Sequence, residues 1–137
     1  MIAHDVLTFV FCDIEGSTQL AQTLRTGYPE ILSKYREVLR SLVEKYKGRE
    51  IDTAGDGYFM VISQEKNAIK AAVDAQKIFH ENSWASEVNL KVRMGIHTGK
   101  ALPTESGLTG VEVHCASRIC DAANGGQVLI SKATERL

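Results

Sequence analysis

The chain has 137 residues, 44% hydrophobic and 24% charged, which are ordinary proportions for one soluble globular domain with a core of its own. Sixteen Lys and Arg against seventeen Asp and Glu leave a formal charge of −1. No broad field exists to hold nucleic acid or an anionic membrane, so an anionic ligand has to be met locally.

The longest apolar run, Val6 to Cys12, is far too short to span a bilayer. His4 and Asp5 stand where a secretory leader carries basic residues. Cys12, Cys115 and Cys120 have neither metal-knuckle nor disulfide spacing and read as reduced thiols, which places the protein in the cytoplasm.

Val6 to Cys12 is β-branched and aromatic, with little alternation, and predicts a central strand covered on both faces. Ser17 or Thr18 is placed to cap a short helix through Leu24. Gly27 and Pro29 open a longer helix whose stripe runs from Tyr28 through Ile31, Tyr35, Leu39 and Leu42 to Tyr46, and Gly48 ends it. Glu50 to Thr53 and Tyr58 to Ile62 predict two strands around a Gly55-Asp56-Gly57 turn. Asn67 to His80 has helical spacing. Leu90, Val92, Met94 and Ile96 alternate, predicting a strand with one apolar face. Gly99 to Gly110 reads as a loop or loose hairpin. Val111 to Ala123 predicts a helix, Gln127 to Ile130 a last strand, and Ser131 the cap of a further helix.

This order contains βαββαβ, an α+β fold of the ferredoxin-like class: an antiparallel sheet with helices packed on one face. In such a sheet the first strand lies beside the hairpin of the next two. Asp13, at the end of that strand, and Asp56, at the hairpin tip, then fall at one edge. Each alone has an ordinary reading, Asp13 as a helix cap and Asp56 as turn chemistry. Together, with no Lys or Arg nearby in sequence, two carboxylates repel unless a cation sits between them. Oxygen ligands with open positions suit Mg²⁺ or Mn²⁺ in two-metal phosphate chemistry.

The residues after Asp13 extend this. Gly16 lets the backbone approach a ligand, and the N–H groups of Glu15, Gly16, Ser17 and Thr18 lead into a helix N-terminus suited to phosphate oxygens. A metal pair beside a phosphate cradle points to a nucleoside triphosphate. On the helix from Val111, His114 and Arg118 stand one turn apart, opposite the apolar face. Arg118 either pairs with Asp121 in solvent or meets charge on a phosphoryl group. His4 and His80 read as surface residues, His97 as a strand-end residue and Trp84 as a packing anchor.

Four segments, "FVFCDIEGST", "EIDTAGDGYFMVI", "KVRMGIHTGKA" and "GVEVHCASRICDAANGGQVLIS", together resemble the catalytic domains of class III nucleotidyl cyclases, in the family's order and across almost the whole chain. The resemblance implies a head-to-tail homodimer with active sites shared across the interface. It implies conversion of ATP or GTP to the 3′,5′-cyclic monophosphate and pyrophosphate with two Mg²⁺ or Mn²⁺. It places Asp13, Asp56 and the Ile14 carbonyl on the metals, and Arg118 at the transition state on the partner's substrate. His114 stands where the family usually has an asparagine that orients the ribose. Asp52 stands where many members have an adenine-reading lysine, and the matching partner position falls near Gly107. An aspartate accepts hydrogen bonds from the adenine amino group or from guanine N1–H and N2–H, not the reverse. The motifs "EIDTAGDG" and "VHCASR" favour ATP.

The resemblance further implies that residues 1–137 form one catalytic domain without the family's C-terminal helix and hairpin. The alternative is an inactive cyclase-like module for dimerisation or nucleotide sensing, to which His114 and Asp52 point. A diguanylate cyclase or polymerase-palm relative shares the sheet and the metal logic, but the glycine-rich acidic signature of diguanylate cyclases is absent.

Overall fold

A computed structural model describes residues 6–81, 90–105 and 107–135. His4 and Trp84 lie outside the described residues.

The sheet is built around β1 (Val6–Ile14). A short helix α1 (Ser17–Leu24) and a 3-10 turn lead into α2 (Tyr28–Lys45). The hairpin strands β2 (Arg49–Ala54) and β3 (Gly57–Ile62) follow, then α3 (Glu65–Glu81) and β4 (Val92–Lys100). A small hairpin, β5 (Leu102–Thr104) with β6 (Gly107–Thr109), precedes α4 (Val111–Ala122), β7 (Val128–Ile130) and α5 (Lys132–Glu135). The strand order is β2-β3-β1-β4-β7, antiparallel except for β4 with β7. This is the expected α+β arrangement, with β7 added at one edge.

Alternation on β1 sorts the core into two layers. Val10, Cys12 and Ile14 face α2 and α3, where they meet Ile31, Tyr35, Leu39, Ala72 and Phe79. Leu7 and Phe9 face the other way, towards Phe59, Val61, Val113 and Ala116. Helices therefore lie on both faces, a correction to the one-face expectation: α2 and α3 cover one, and α4 covers part of the other. The same contact explains why β4 is buried on both sides rather than presenting one apolar face. Leu90 is buried but precedes that strand. The segment after Gly99, read as a loop or loose hairpin, forms the β5–β6 hairpin.

His97 is an interior strand residue, not a strand-end one. It is 7% exposed, and its ring nitrogens meet Ser131 Oγ at 2.7 Å and Glu112 Oε2 at 2.8 Å. Ser131 Oγ accepts the Thr134 N–H at 3.4 Å, as expected of a cap of α5.

Gly95 sets how closely α4 approaches. A Cβ there would stand 2.2 Å from the Cys120 backbone nitrogen and 2.7 Å from its Cα. Backbone cannot rotate aside as a side chain can. Gly95→Ala is therefore expected to lift α4 from β4 and cost about 1–3 kcal/mol or more of stability, read by urea unfolding.

Candidate active site

The turn between β2 and β3 has two residues, Gly55 and Asp56. Gly55 takes φ 58°, the left-handed conformation that a tight hairpin asks of its first central position. Three bonds then hold the turn against its neighbours. The Ile14 N–H donates to Asp56 Oδ2 at 2.8 Å, the Tyr35 hydroxyl donates to the Asp56 carbonyl at 2.8 Å, and Arg36 donates to the Gly55 carbonyl at 2.5 Å. Asp56 thus lies against the end of β1, beside Asp13. The sheet topology brings the two carboxylates to one rim, as the strand order predicts.

Asp13 is not unpaired, contrary to the expectation from sequence. Arg93, its register partner on β4, grips both carboxylate oxygens, with Nε to Oδ1 at 2.7 Å and Nη2 to Oδ2 at 2.9 Å. Cross-strand proximity supplies this cation from 80 positions away, where local sequence shows none. Burial nevertheless pushes the Asp13 carboxyl above the ordinary range; Arg93 opposes the rise, and Asp56 and Asp121 add to it. Negative charge concentrates at this rim, and the position already accepts a cation in the form of a guanidinium.

The residues after Asp13 divide. Glu15 is committed elsewhere: its N–H donates to the Lys91 carbonyl at 2.8 Å, and its carboxylate accepts the Gly125 N–H at 3.2 Å. Glu15 is therefore a tie to the loop after α4 rather than part of a phosphate cradle. Gly16, with φ 68°, occupies the cap position of α1, and no side chain caps the helix, so Ser17 and Thr18 are its first residues instead. Their N–H groups belong to the helix's first turn, which lacks intrahelical acceptors.

A second feature lies on the same sheet face as Asp13. A cleft of about 360 Å³ opens between β1–β3–β2 and α4, with Phe11, Phe59, Ile51, Asp52, Leu108 and His114 among its lining residues. Phe11 and Asp13 are alternate residues of β1, so the cleft and the acidic rim are about 7 Å apart along the strand. Asp52 faces the cleft beside a β-bulge. Glu50 pairs with Met60, and Asp52 pairs with Phe59, leaving Ile51 extra. The register runs unbroken from the turn to Asp52, and the bulge returns Glu50 to the opposite face, where its carboxylate accepts from the Tyr58 hydroxyl at 2.6 Å.

Gly107 packs against the same bulge. A Cβ there would meet Ile51 Cγ2 at 2.8 Å, and its φ of 148° suits glycine. His114 and Arg118 are exposed on α4, but only His114 lines the cleft. Arg118 forms no ion pair or hydrogen bond among the described residues, so the pairing with Asp121 does not occur there. The structure thus gathers Asp13, Ile14 and Asp56 at one rim and Asp52 and His114 in one cleft, and leaves Arg118 apart from both. Sequence reasoning missed Arg93, Tyr35 and Arg36. Only the apolar stripe of α2 marked Tyr35, and it marked it as core.

Comparison with known proteins places this arrangement. The model of the adenylate and guanylate cyclase catalytic domain matches residues 1–137. The chain belongs to that family. Among curated relatives, a receptor-type adenylate cyclase of Trypanosoma brucei brucei, ESAG 4, is 25% identical over 169 residues, spanning 93% of this chain and 14% of its own length. An adenylate cyclase of Podospora anserina is 28% identical over 152 residues, spanning 92% of this chain and 7% of its own length. The cyclase domain is thus a small part of those proteins. A solved Trypanosoma brucei adenylate cyclase in its monomeric state superposes with a TM-score of 0.87 at 25% identity, over 96% of this chain and 75% of that one. The monomeric guanylyl cyclase domain of the RhoGC fusion protein from Blastocladiella emersonii has the same fold, with a TM-score of 0.88 at 20% identity, over 97% of this chain and 84% of that one.

Removing the Tyr35 hydroxyl tests how the Asp56 turn of this cyclase domain is held. Tyr35 is fully buried, so Tyr35→Phe strands a carbonyl at the turn. The variant is expected to lose about 1 kcal/mol, measured by denaturant unfolding, with the core otherwise unchanged.

Proposed function

We infer that this domain is a nucleotidyl cyclase acting on ATP in preference to GTP, in the cytoplasm, as a head-to-tail homodimer. The observation that carries the reading is the convergence of Asp13 and Asp56 through the Ile14–Asp56 hydrogen bond. The donor set fits a divalent ion: two carboxylates and a strand-end carbonyl, all hard oxygens, at a position where Asp13 already binds a cation. Two carboxylates leave coordination positions for triphosphate oxygens and water; among the described residues no cluster of three or more His, Cys, Asp or Glu surrounds a closed metal site.

Asp13, Asp56 and the Ile14 carbonyl hold two Mg²⁺ or Mn²⁺ in this reading. Those ions, when bound, activate the ribose 3′-hydroxyl and neutralise charge on the phosphates. The N–H groups of Gly16, Ser17 and Thr18 receive phosphate oxygens at the start of α1. Arg118, exposed and without a partner among the described residues, is suited to reach a substrate held by a second copy and to meet the charge that builds on the α-phosphoryl group. His114 orients the ribose in place of the usual asparagine. Asp52, facing the cleft, accepts from the base, and Gly107 borders the bulge beside it. The half-buried apolar wall of the cleft, with Phe11, Ile51 and Leu108 in it, suits a purine face.

The names of the curated relatives, adenylate cyclases, support ATP. Among solved relatives, monomeric and dimeric cyclase domains are both found. Among the described residues no helix is long and apolar enough to cross a membrane. The departures at Asp52 and His114 support a second reading, an inactive nucleotide-sensing or dimerisation module.

The deciding assay follows cyclic AMP and cyclic GMP from ATP and GTP with Mn²⁺. Formation of cyclic AMP is expected. Asp13→Ala and Asp56→Ala are each expected to lower turnover by at least 10²-fold, a loss of about 2.7 kcal/mol or more of transition-state stabilisation, with circular dichroism unchanged. Near-normal rates in Asp13→Ala would overturn the enzymatic reading.

A further inference from the structure

Arg93 is bound on both sides. Its Nε and Nη2 hold Asp13, while its Nη1 points towards the Asp121 carbonyl at 3.5 Å. That carbonyl lies in the last turn of α4, where the helix dipole places negative charge and the final carbonyls lack intrahelical partners. The Arg93 carbonyl accepts the Cys120 thiol at 3.6 Å, a further tie to the same turn. Arg93 therefore has a second acceptor ready should it leave the first.

We propose that Arg93 is a positioning residue that occupies Asp13 as an internal cation and yields it to the divalent ion, thereby setting the affinity of the metal site. This rests on the reading of Asp13 and Asp56 as the metal carboxylates. Both Asp13 oxygens accept from the guanidinium, so an incoming ion competes with it for them. Electrostatics carries the argument. Arg93 neutralises Asp13 while the site lacks a metal, and two positive charges on one carboxylate repel. On metal entry the fork keeps at most one oxygen and leans towards the Asp121 carbonyl. Because that carbonyl belongs to α4, the exchange ties the metal rim to the helix that carries His114 and Arg118. The guanidinium's two-pronged geometry matters as well as its charge, since a lysine ammonium makes a point contact and leaves one oxygen open.

The test measures binding of Mn²⁺ alone to the full chain by electron paramagnetic resonance, with thermal unfolding in chelator beside it. Arg93→Gln is expected to bind Mn²⁺ about tenfold more tightly than the parent and to melt lower in chelator, because Asp13 then lacks its cation. Arg93→Lys is expected to fall between the two in affinity, and it keeps the test open if Arg93→Gln does not fold. A merely structural arginine would lower the melting temperature without tightening the metal. Equal or weaker Mn²⁺ affinity in the Arg93 variants, with binding still lost in Asp56→Asn, overturns this role and leaves the metal carboxylates standing. Mn²⁺ binding indifferent to Asp56→Asn overturns both.

Discussion

The antiparallel register of β1 between β3 and β4 is the constraint from which the rest of the site follows. Pairing Cys12 with Tyr58 on one side brings the hairpin tip beside Ile14, where the Asp56 carboxylate takes the strand's last amide. Pairing Asp13 with Arg93 on the other side places a guanidinium across the rim. A one-residue slip of either neighbour would send the paired side chains to the opposite face and dissolve the rim. Burial of Phe9 on one layer and Val10 on the other opposes any such slip, because each strand residue is committed to a packed layer. Chemistry and packing therefore share one register.

The two faces of the sheet have separate duties. The layer against α2 and α3 supplies the large core, and Tyr35 and Arg36 extend from it to clasp the Gly55–Asp56 turn. The layer towards α4 is smaller and incomplete, and its uncovered part is the cleft. Gly95 lets α4 sit close to β4, and Gly99 leaves room for Glu112 to reach His97. Those two glycines bind the helix that bears His114 and Arg118 to the strand that bears Arg93. A strand, a helix and a carboxylate are thus held together as neighbours rather than as independent parts.

Much of this was legible in the residue order. The long stripe of α2, the Gly-Asp-Gly hairpin and the meeting of Asp13 with Asp56 all follow from local periodicity and strand topology. What escaped was every feature set by register or by crossing. Arg93 lies far from Asp13 in the chain and looks like an ordinary strand residue until β4 is aligned. The side of the sheet chosen by α4 depends on a long connection whose path no local pattern records. Glu15 reads as a cradle residue from its neighbours, yet its amide and carboxylate are taken by Lys91 and Gly125. The bulge at Ile51 is invisible in sequence because it exists only relative to β3.

The tight turn just past that bulge makes what the cleft offers a matter of counting rather than of identity. Inserting or deleting a single codon between Asp52 and Gly55 would swap the side chain presented to the cleft for its neighbour, while the acidic rim, set by the turn, β1 and β3, stayed in place. A lineage built on this frame has a route to a new cleft lining that passes through strand length and leaves the two rim carboxylates untouched.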